Sequence, residues 1–317
     1  MSRITVIGSL NMDLVISSPK IPILGETVLG KDFITIPGGK GANQAVAAAR
    51  LGGKVCMAGC IGNDPFGREL LKNLSVNNVN IENIKIKDEY PTGIAFVVIV
   101  DGNNYIIVDP GANYSLVPED IDDMSDVIKN SDMILLQLEI PLPVVERVVD
   151  TANSYGVKIL LNPAPARQLD DHMLEKIDIF TPNESECGTI TGQRIRNIQD
   201  AKDAVVYLNK KGISNVIVTL GDKGAVYNDG TKIIHRPAVD IQAVDTTAAG
   251  DAFSGAFAVA YAQGRAMDEA VNFANIAAAL SVSKKGAQSS LPDLGNVSEF
   301  EALFCNDARI FTDPVEK

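Results

Sequence analysis

Asp251 stands directly after Gly250, at the head of an apolar stretch running from Phe253 to Tyr261. An aspartate, two threonines and three small residues precede it, in the order Asp245-Thr246-Thr247-Ala248-Ala249-Gly250. Small side chains leave backbone N–H groups uncovered, and the first N–H groups of a helix have no internal partner. Together with the helix dipole they make an anion site. A carboxylate beside such a cradle suits one kind of chemistry. The anion would be a phosphoryl group in transit, and the carboxylate would take the proton of the attacking hydroxyl. Taken alone, Asp251 is also what an ordinary acidic residue in a first helical turn looks like.

Two further segments carry donors and glycines. Pro37-Gly38-Gly39-Lys40-Gly41-Ala42-Asn43-Gln44 opens a helix that stops at Gly52-Gly53. Its glycines let backbone approach a ligand, and Lys40 and Asn43 supply donors suited to hydroxyl groups. It lacks the Lys-Ser/Thr ending of a phosphate-binding Walker loop, and Gln44 stands where a dinucleotide fingerprint needs its last glycine. Gly8-Ser9-Leu10-Asn11-Met12-Asp13 follows the first strand-like run. Polar residues just past a buried strand are where open α/β sheets bind ligands. Asn11 and Asp13 alternate, so in extended chain they project to one side. Either segment could equally be a glycine-rich helix start or a set of turn residues.

The elements that must position these groups alternate. From about residue 117 onward, apolar strand-like runs at Asp132–Gln137, Val157–Asn162, Asp178–Pro182 and Asn215–Leu220 are separated by helical patterns at 144–155, 184–190 and 197–211. That alternation predicts a mostly parallel sheet with helices on both faces. Two regions break it. Residues 13–36 hold short extended pieces with turn signals at Pro22 and Gly25. Residues 92–110 read as a hairpin, Ile94–Val100 and Tyr105–Val108, around Asp101-Gly102-Asn103-Asn104. These pieces are expected to pair into a small sheet off the main domain, acting as a lid or a dimer surface; an antiparallel extension of the main sheet is the alternative.

Composition narrows the function classes. The net charge of -12 argues against a nucleic-acid surface, which needs a basic face, but not against a nucleotide held by N–H groups. Apolar runs fall short of the roughly 20 residues that span a bilayer, and the N-terminus has no signal-peptide core, so a cytoplasmic protein with no membrane partner is expected. Cys56, Cys60, Cys187 and Cys305 lie apart from His172 and His235, which favours reduced, buried thiols over a zinc site. The final segment, Phe304 to Lys317, is polar and expected to be loosely held.

Together the Gly38–Gly53 and Asp245–Phe257 stretches resemble the two signature regions of the ribokinase (PfkB) family of carbohydrate kinases, and the likeness runs from Ile4 to about Pro292. The resemblance implies one ribokinase-like domain over residues 1–317, an α/β/α sandwich, with the lid formed by about 13–36 and 92–110. It implies Asp251 as catalytic base and the N–H groups of Ala248, Ala249 and Gly250 as an anion hole. Asn11, Asp13, Gly39, Lys40, Gly41, Ala42, Asn43 and Glu139 match sugar contacts, with Asp251 meeting the reacting hydroxyl. Asn183, Gly250, Asn275 and Thr219-Leu220-Gly221-Asp222-Lys223-Gly224 match the ATP site. Glu186, in Asn183-Glu184-Ser185-Glu186, matches the magnesium motif, acting through water. Asp245, Thr247, Ser281, Lys284, Gly286 and Ser290 match a potassium site built mostly of carbonyl oxygens.

The expected reaction is ATP-dependent phosphorylation of D-ribose at its 5-hydroxyl, with Mg2+ and K+, by a homodimer joined through the lid. Another kinase of the family, acting on deoxyribose, fructose or a nucleoside, is the alternative. Asn11 is the discriminator, because an amide there can bond a 2-hydroxyl that deoxyribose lacks. A non-catalytic sensor would have lost Asp251 or Gly250, and both are present.

Overall fold

The computed structural model describes residues 1–305; the polar segment beyond the helix Leu294–Cys305 lies outside them. Thirteen strands form among these residues: β1 (Arg3–Ile7), β2 (Asn11–Ser17), β3 (Lys31–Gly38), β4 (Lys54–Gly62), β5 (Asn80–Lys87), β6 (Gly93–Val100), β7 (Asn103–Asp109), β8 (Met133–Leu136), β9 (Lys158–Leu161), β10 (Ile179–Phe180), β11 (Asn215–Thr219), β12 (Ala225–Asn228) and β13 (Ile233–Arg236). Nine of them make the main sheet, in the order β13-β12-β11-β10-β9-β8-β1-β4-β5. From β5 to β11 every neighbour is parallel, and β12 and β13 close one edge antiparallel.

Period-two alternation sends successive strand residues to opposite faces, which accounts for the two cores. Ile4 and Val6 of β1, with Met133 and Leu135 of β8, pack against the helices Lys40–Arg50, Ala249–Ala262 and Met267–Val282. Ile7, Ile134 and Leu136 face the helices Leu142–Ser154 and Ile198–Lys210 on the other side. The result is the three-layer α/β/α sandwich.

Residues of the two irregular regions form a separate four-stranded sheet, ordered β3-β2-β6-β7, rather than an extension of the main one. Its hairpin is tighter than the four-residue turn expected. Val100 pairs with Asn103, so only Asp101 and Gly102 turn the chain, at φ 49 and 78. An Asp-Gly pair with positive φ at both positions matches the right-handed twist of the flanking strands. Cys60 and Cys187 are buried thiols, whereas Cys56 is only half-buried and accepts a hydrogen bond from Asn83.

Candidate active site

The ends of β1, β8, β9, β10 and β11 all run toward one edge, and the polar residues that follow them meet there: Ser9 and Asn11, Gln137 and Glu139, Asn162, Asn183, and Gly221. This is the carboxyl edge where open parallel sheets bind ligands. The helices Lys40–Arg50 and Ala249–Ala262 begin at the same edge. They pack closely because residue 255 is glycine; a Cβ there would stand 2.7 Å from the Ala47 methyl and 2.9 Å from the Gln44 carbonyl oxygen.

That close contact brings Asn43 and Gln44 onto Asp251. Asn43 Nδ2 donates to Asp251 Oδ2 at 2.9 Å, and Gln44 Nε2 donates to Oδ1 at 3.0 Å. The amides are themselves held. Gln288 Nε2 donates to Asn43 Oδ1 at 3.0 Å; Gln137 Nε2 donates to Gln44 Oε1 at 2.6 Å; Gln44 Nε2 also reaches Asn162 Oδ1, and Asn162 Nδ2 is tied to the Thr181 carbonyl. Asp251 is only 6% exposed. Burial raises its pKa, opposed by the Lys40 charge and the two amides, while Glu139 adds to the rise. Asn43 is therefore engaged through both ends of its amide, and it bears on the site through Asp251. Gln44, Asn162 and Gln288 were missed as site residues. The available signal was a polar pair in the otherwise alanine-rich run Ala42 to Ala49.

Asp251, Lys40, Glu186 and Gly250 line a cavity of about 200 Å³. A second, of about 770 Å³, is lined by Gly221, Asp222, Gly224, Asn275 and Phe253 and by the loop residues 238–241 and Ala243. The two share Asn183, Thr219, Thr246, Ala249 and Gly250, so they open into one another beside the helix start. At that junction Ala248 is left-handed, at φ 62. The N–H groups of Ala248 and Gly250 find no acceptor among the described residues, while that of Ala249 makes a long 3.3 Å bond to the Thr246 carbonyl. A Cβ on Gly250 would meet nothing within 4 Å, so no internal packing demands a glycine there. The arrangement offers uncovered N–H groups at a helix mouth next to a carboxylate.

Asp13 and Glu139 stand near this cavity, electrostatically coupled to Asp251 and Lys40. Glu139 Oε2 accepts from Ser9 Oγ and from the Lys40 N–H at 3.2 Å. Burial, then the charges of Glu139 and Asp251, push the Asp13 carboxyl up to about 7, with Lys40 opposing. Burial works against the Lys40 ammonium, but Asp251, Glu139, Glu186 and Asp13 outweigh it and hold its pKa above the ordinary value. Gly39, at φ 88, lies so close to the Leu10–Asn11 backbone that a Cβ on it would stand 2.7 Å from Asn11 N. Gly41 and Ala42, expected as sugar contacts, serve the fold here. A Cβ on Gly41 would stand 2.7 Å from the Gly8–Ser9 backbone, and Ala42 is fully buried with its N–H on the Ser9 carbonyl.

Of the residues expected at an ATP site, Leu220 is a core residue and Lys223 pairs with Glu184 at 3.8 Å; neither lines the larger cavity. Gly224 is required by the fold, since its Cβ would lie 2.1 Å from the Arg236 carbonyl oxygen. Asn183 and Glu186 form a reciprocal capping box: Glu186 N–H donates to Asn183 Oδ1, and the Asn183 N–H and Nδ2 take both Glu186 oxygens, each at 2.9 Å. Burial raises the Glu186 pKa.

Asp245 joins two loops. Oδ1 accepts from the Thr247 N–H and hydroxyl, and Oδ2 from the Gly286 N–H at 2.9 Å. Burial opposes its charge, but these bonds hold its carboxyl below the usual range. The Ser281 and Ser290 hydroxyls donate to carbonyls three residues back, and Lys284 lines a different cavity.

The pfkB family carbohydrate kinase model matches residues 1–294. A ribokinase of Haemophilus influenzae is 42% identical over 298 residues, spanning 94% of this chain and 97% of the relative. A deoxyribokinase of Salmonella typhi is 39% identical over 302 residues, spanning 95% and 99%. The structure of Arabidopsis thaliana ribokinase complexed with ribose and ATP superposes with a TM-score of 0.89 at 34% identity, covering 94% of this chain and 98% of that one. A family model matching nearly all of the described chain, with close relatives aligned end to end, means that this chain belongs to the pfkB family of carbohydrate kinases.

Proposed function

We propose that this protein transfers the γ-phosphoryl group of ATP to the 5-hydroxyl of D-ribose, giving ribose 5-phosphate and ADP. One observation carries the reading: a buried carboxylate, held by two amides, lines a small cavity that opens into a larger one beside a helix N-terminus. Asp251 takes the proton of the 5-hydroxyl as its oxygen bonds to the γ-phosphorus, and the bond to the β–γ bridging oxygen breaks. The N–H groups of Ala248 and Gly250, with Ala249 released from its long bond, receive charge on the transferring group; each such donor is typically worth about 3 kcal/mol. Lys40 adds a positive charge beside the same cavity.

Asn11, Asp13, Gly39, Lys40 and Glu139 hold the sugar in this reading, and Asn183, Gly221, Asp222, Gly224 and Asn275 the nucleotide. Glu186 fits a hydrated Mg2+, since each of its oxygens accepts one hydrogen bond and keeps a lone pair for a magnesium-bound water. Bound there, Mg2+ supplies charge neutralisation for the phosphates. Asp245, with its charged form favoured, fits a K+ ion held otherwise by carbonyl oxygens of the loops it ties together.

The small sheet acts as a lid that excludes water. Its outer strands β3 and β7 display exposed apolar side chains, among them Phe33, Ile106 and Ile107, which a second copy would cover in a homodimer. A cytoplasmic location goes with this reading, since ATP is available there. Deoxyribose is the second substrate reading, favoured by the deoxyribokinase likeness. ADP release from MgATP in potassium buffer, with ribose, 2-deoxyribose and no sugar, tests both; no release above the no-sugar control would reject the reading.

A further inference from the structure

Asn113 lies in the short turn Gly111–Ser115 that follows β7, and it is 1% exposed. Its Oδ1 accepts the Leu10 N–H at 2.9 Å, and its Nδ2 donates to the Leu10 carbonyl at 3.1 Å and to Asn11 Oδ1 at 2.8 Å. A backbone N–H can only donate. It therefore sets which end of the Asn113 amide faces Leu10, and the NH2 group is left facing Asn11. Asn11 must in turn present its oxygen inward. Its own Nδ2 then points away from Asn113, with no acceptor among the described residues.

The space for this pair is cut by Gly93, which pairs with Asn11 across the small sheet. A Cβ there would stand 2.3 Å from both Asn11 Oδ1 and Asn113 Nδ2. Asn11 shares one face of β2 with Asp13, whose carboxyl is coupled to Glu139, Asp251 and Lys40. The unmatched amide N–H2 thus lies on the strand face that leads into the charged site.

We propose that Asn113 is a positioning residue for sugar specificity. By tying Asn11 Oδ1 to itself and to the Leu10 backbone, it holds the Asn11 amide in one place against the sugar's 2-hydroxyl and so favours ribose over 2-deoxyribose. This rests on the ribose-kinase reading, in which Asn11 meets the 2-hydroxyl. A sugar lacking that hydroxyl leaves the Asn11 N–H2 buried and unpaired. Similarity to both ribokinases and deoxyribokinases leaves this preference open.

The test is kcat/KM for ribose and for 2-deoxyribose in the wild type and in Asn113→Asp. The aspartate keeps an acceptor for Leu10 N–H but loses the donor that anchors Asn11 Oδ1, so the Asn11 amide is no longer held in place. The ribose to 2-deoxyribose ratio should fall at least about tenfold, with the KM for ATP unchanged. In an Asn11→Ala background the same change should move the ratio no further, because the effect runs through Asn11. Equal losses for both sugars, or a wild type that uses both sugars equally well, would overturn the proposal while leaving the kinase reading intact. A wild type inert with both sugars would remove the kinase reading, and the proposal with it. Should Asn113→Asp not fold, Asn113→Ala is read in the same way, and failure of both to fold would make the residue structural and end the proposal.

Discussion

Gln44 Nε2 lies 3.0 Å from Asp251 Oδ1, across 207 positions of sequence. Its neighbour Asn43 holds the other oxygen of the same carboxylate. Two adjacent amides thus present donors to both oxygens of a buried acid, favouring the charged form that a general base needs. Removing one donor favours the protonated form, so the pKa rises and the acid limb of kcat against pH moves upward. A hydrogen bond to a charged group is worth about 1.5–3 kcal/mol, which corresponds to about one to two pH units for Gln44→Leu. An acid limb that stays in place would show that Gln44 does not tune Asp251.

Asp251→Ala should lower ribose-dependent ADP release by about 10²- to 10⁴-fold. Melting temperature should hold or rise, because the variant no longer buries a carboxyl whose charged form burial disfavours. A turnover number within a few fold of wild type would remove Asp251 from the mechanism.

Gly250→Ala and Gly41→Ala should fail in opposite ways. The first adds a methyl to open space at the cavity junction, so the protein should melt normally yet lose kcat. The second drives a Cβ to 2.7 Å from the Gly8–Ser9 backbone, so it should destabilise the fold by at least about 1–3 kcal/mol. Thermal unfolding and initial rates on both variants check this; a Gly250→Ala enzyme of full activity would argue against an anion hole at that turn.

Asp13 is raised to about 7 from its ordinary 3.8. In the unfolded chain it ionises first, so folding loses stability as pH rises from about 4 to about 7, on the order of 4 kcal/mol in all. Asp13→Asn removes that penalty. It should therefore melt higher than wild type at pH 8, show little gain at pH 4, and bind ribose poorly. Melting differences that are equal at the two pH values would show that the carboxyl is not held up by burial.

Ile107 on β7 is 73% exposed. If two small sheets pair in solution, Ile107→Glu should convert a dimer to a monomer in sedimentation analysis, since a charge would enter an apolar contact. A monomeric wild type would reject the lid-to-lid dimer.

Much of this protein was legible in its residues. The alternation of apolar runs and helical patterns after residue 117 dictated the parallel sheet, because side-chain periods of 2 and 3.6 are local properties of the chain. The Asp-Gly turn and its flanking β-rich runs foretold the hairpin, and the small residues before Asp251 foretold the open helix mouth. What Gln44, Gln288, Asn162 and Asn113 do was not legible. Each has a hydrogen-bond partner between 93 and 245 residues away in the sequence. Gly39 and Gly41 look alike in sequence, yet one turns left-handed beside Asn11 and the other lets a helix touch the first strand's exit. Residue types and local spacing determined which chemistry was present. Only the packing of the two glycine-bearing helices, and the polarity of the buried amides between them, decided which groups line the cavity and which hold those groups in place, because hydrogen-bond direction and van der Waals contact exist only between atoms already brought together.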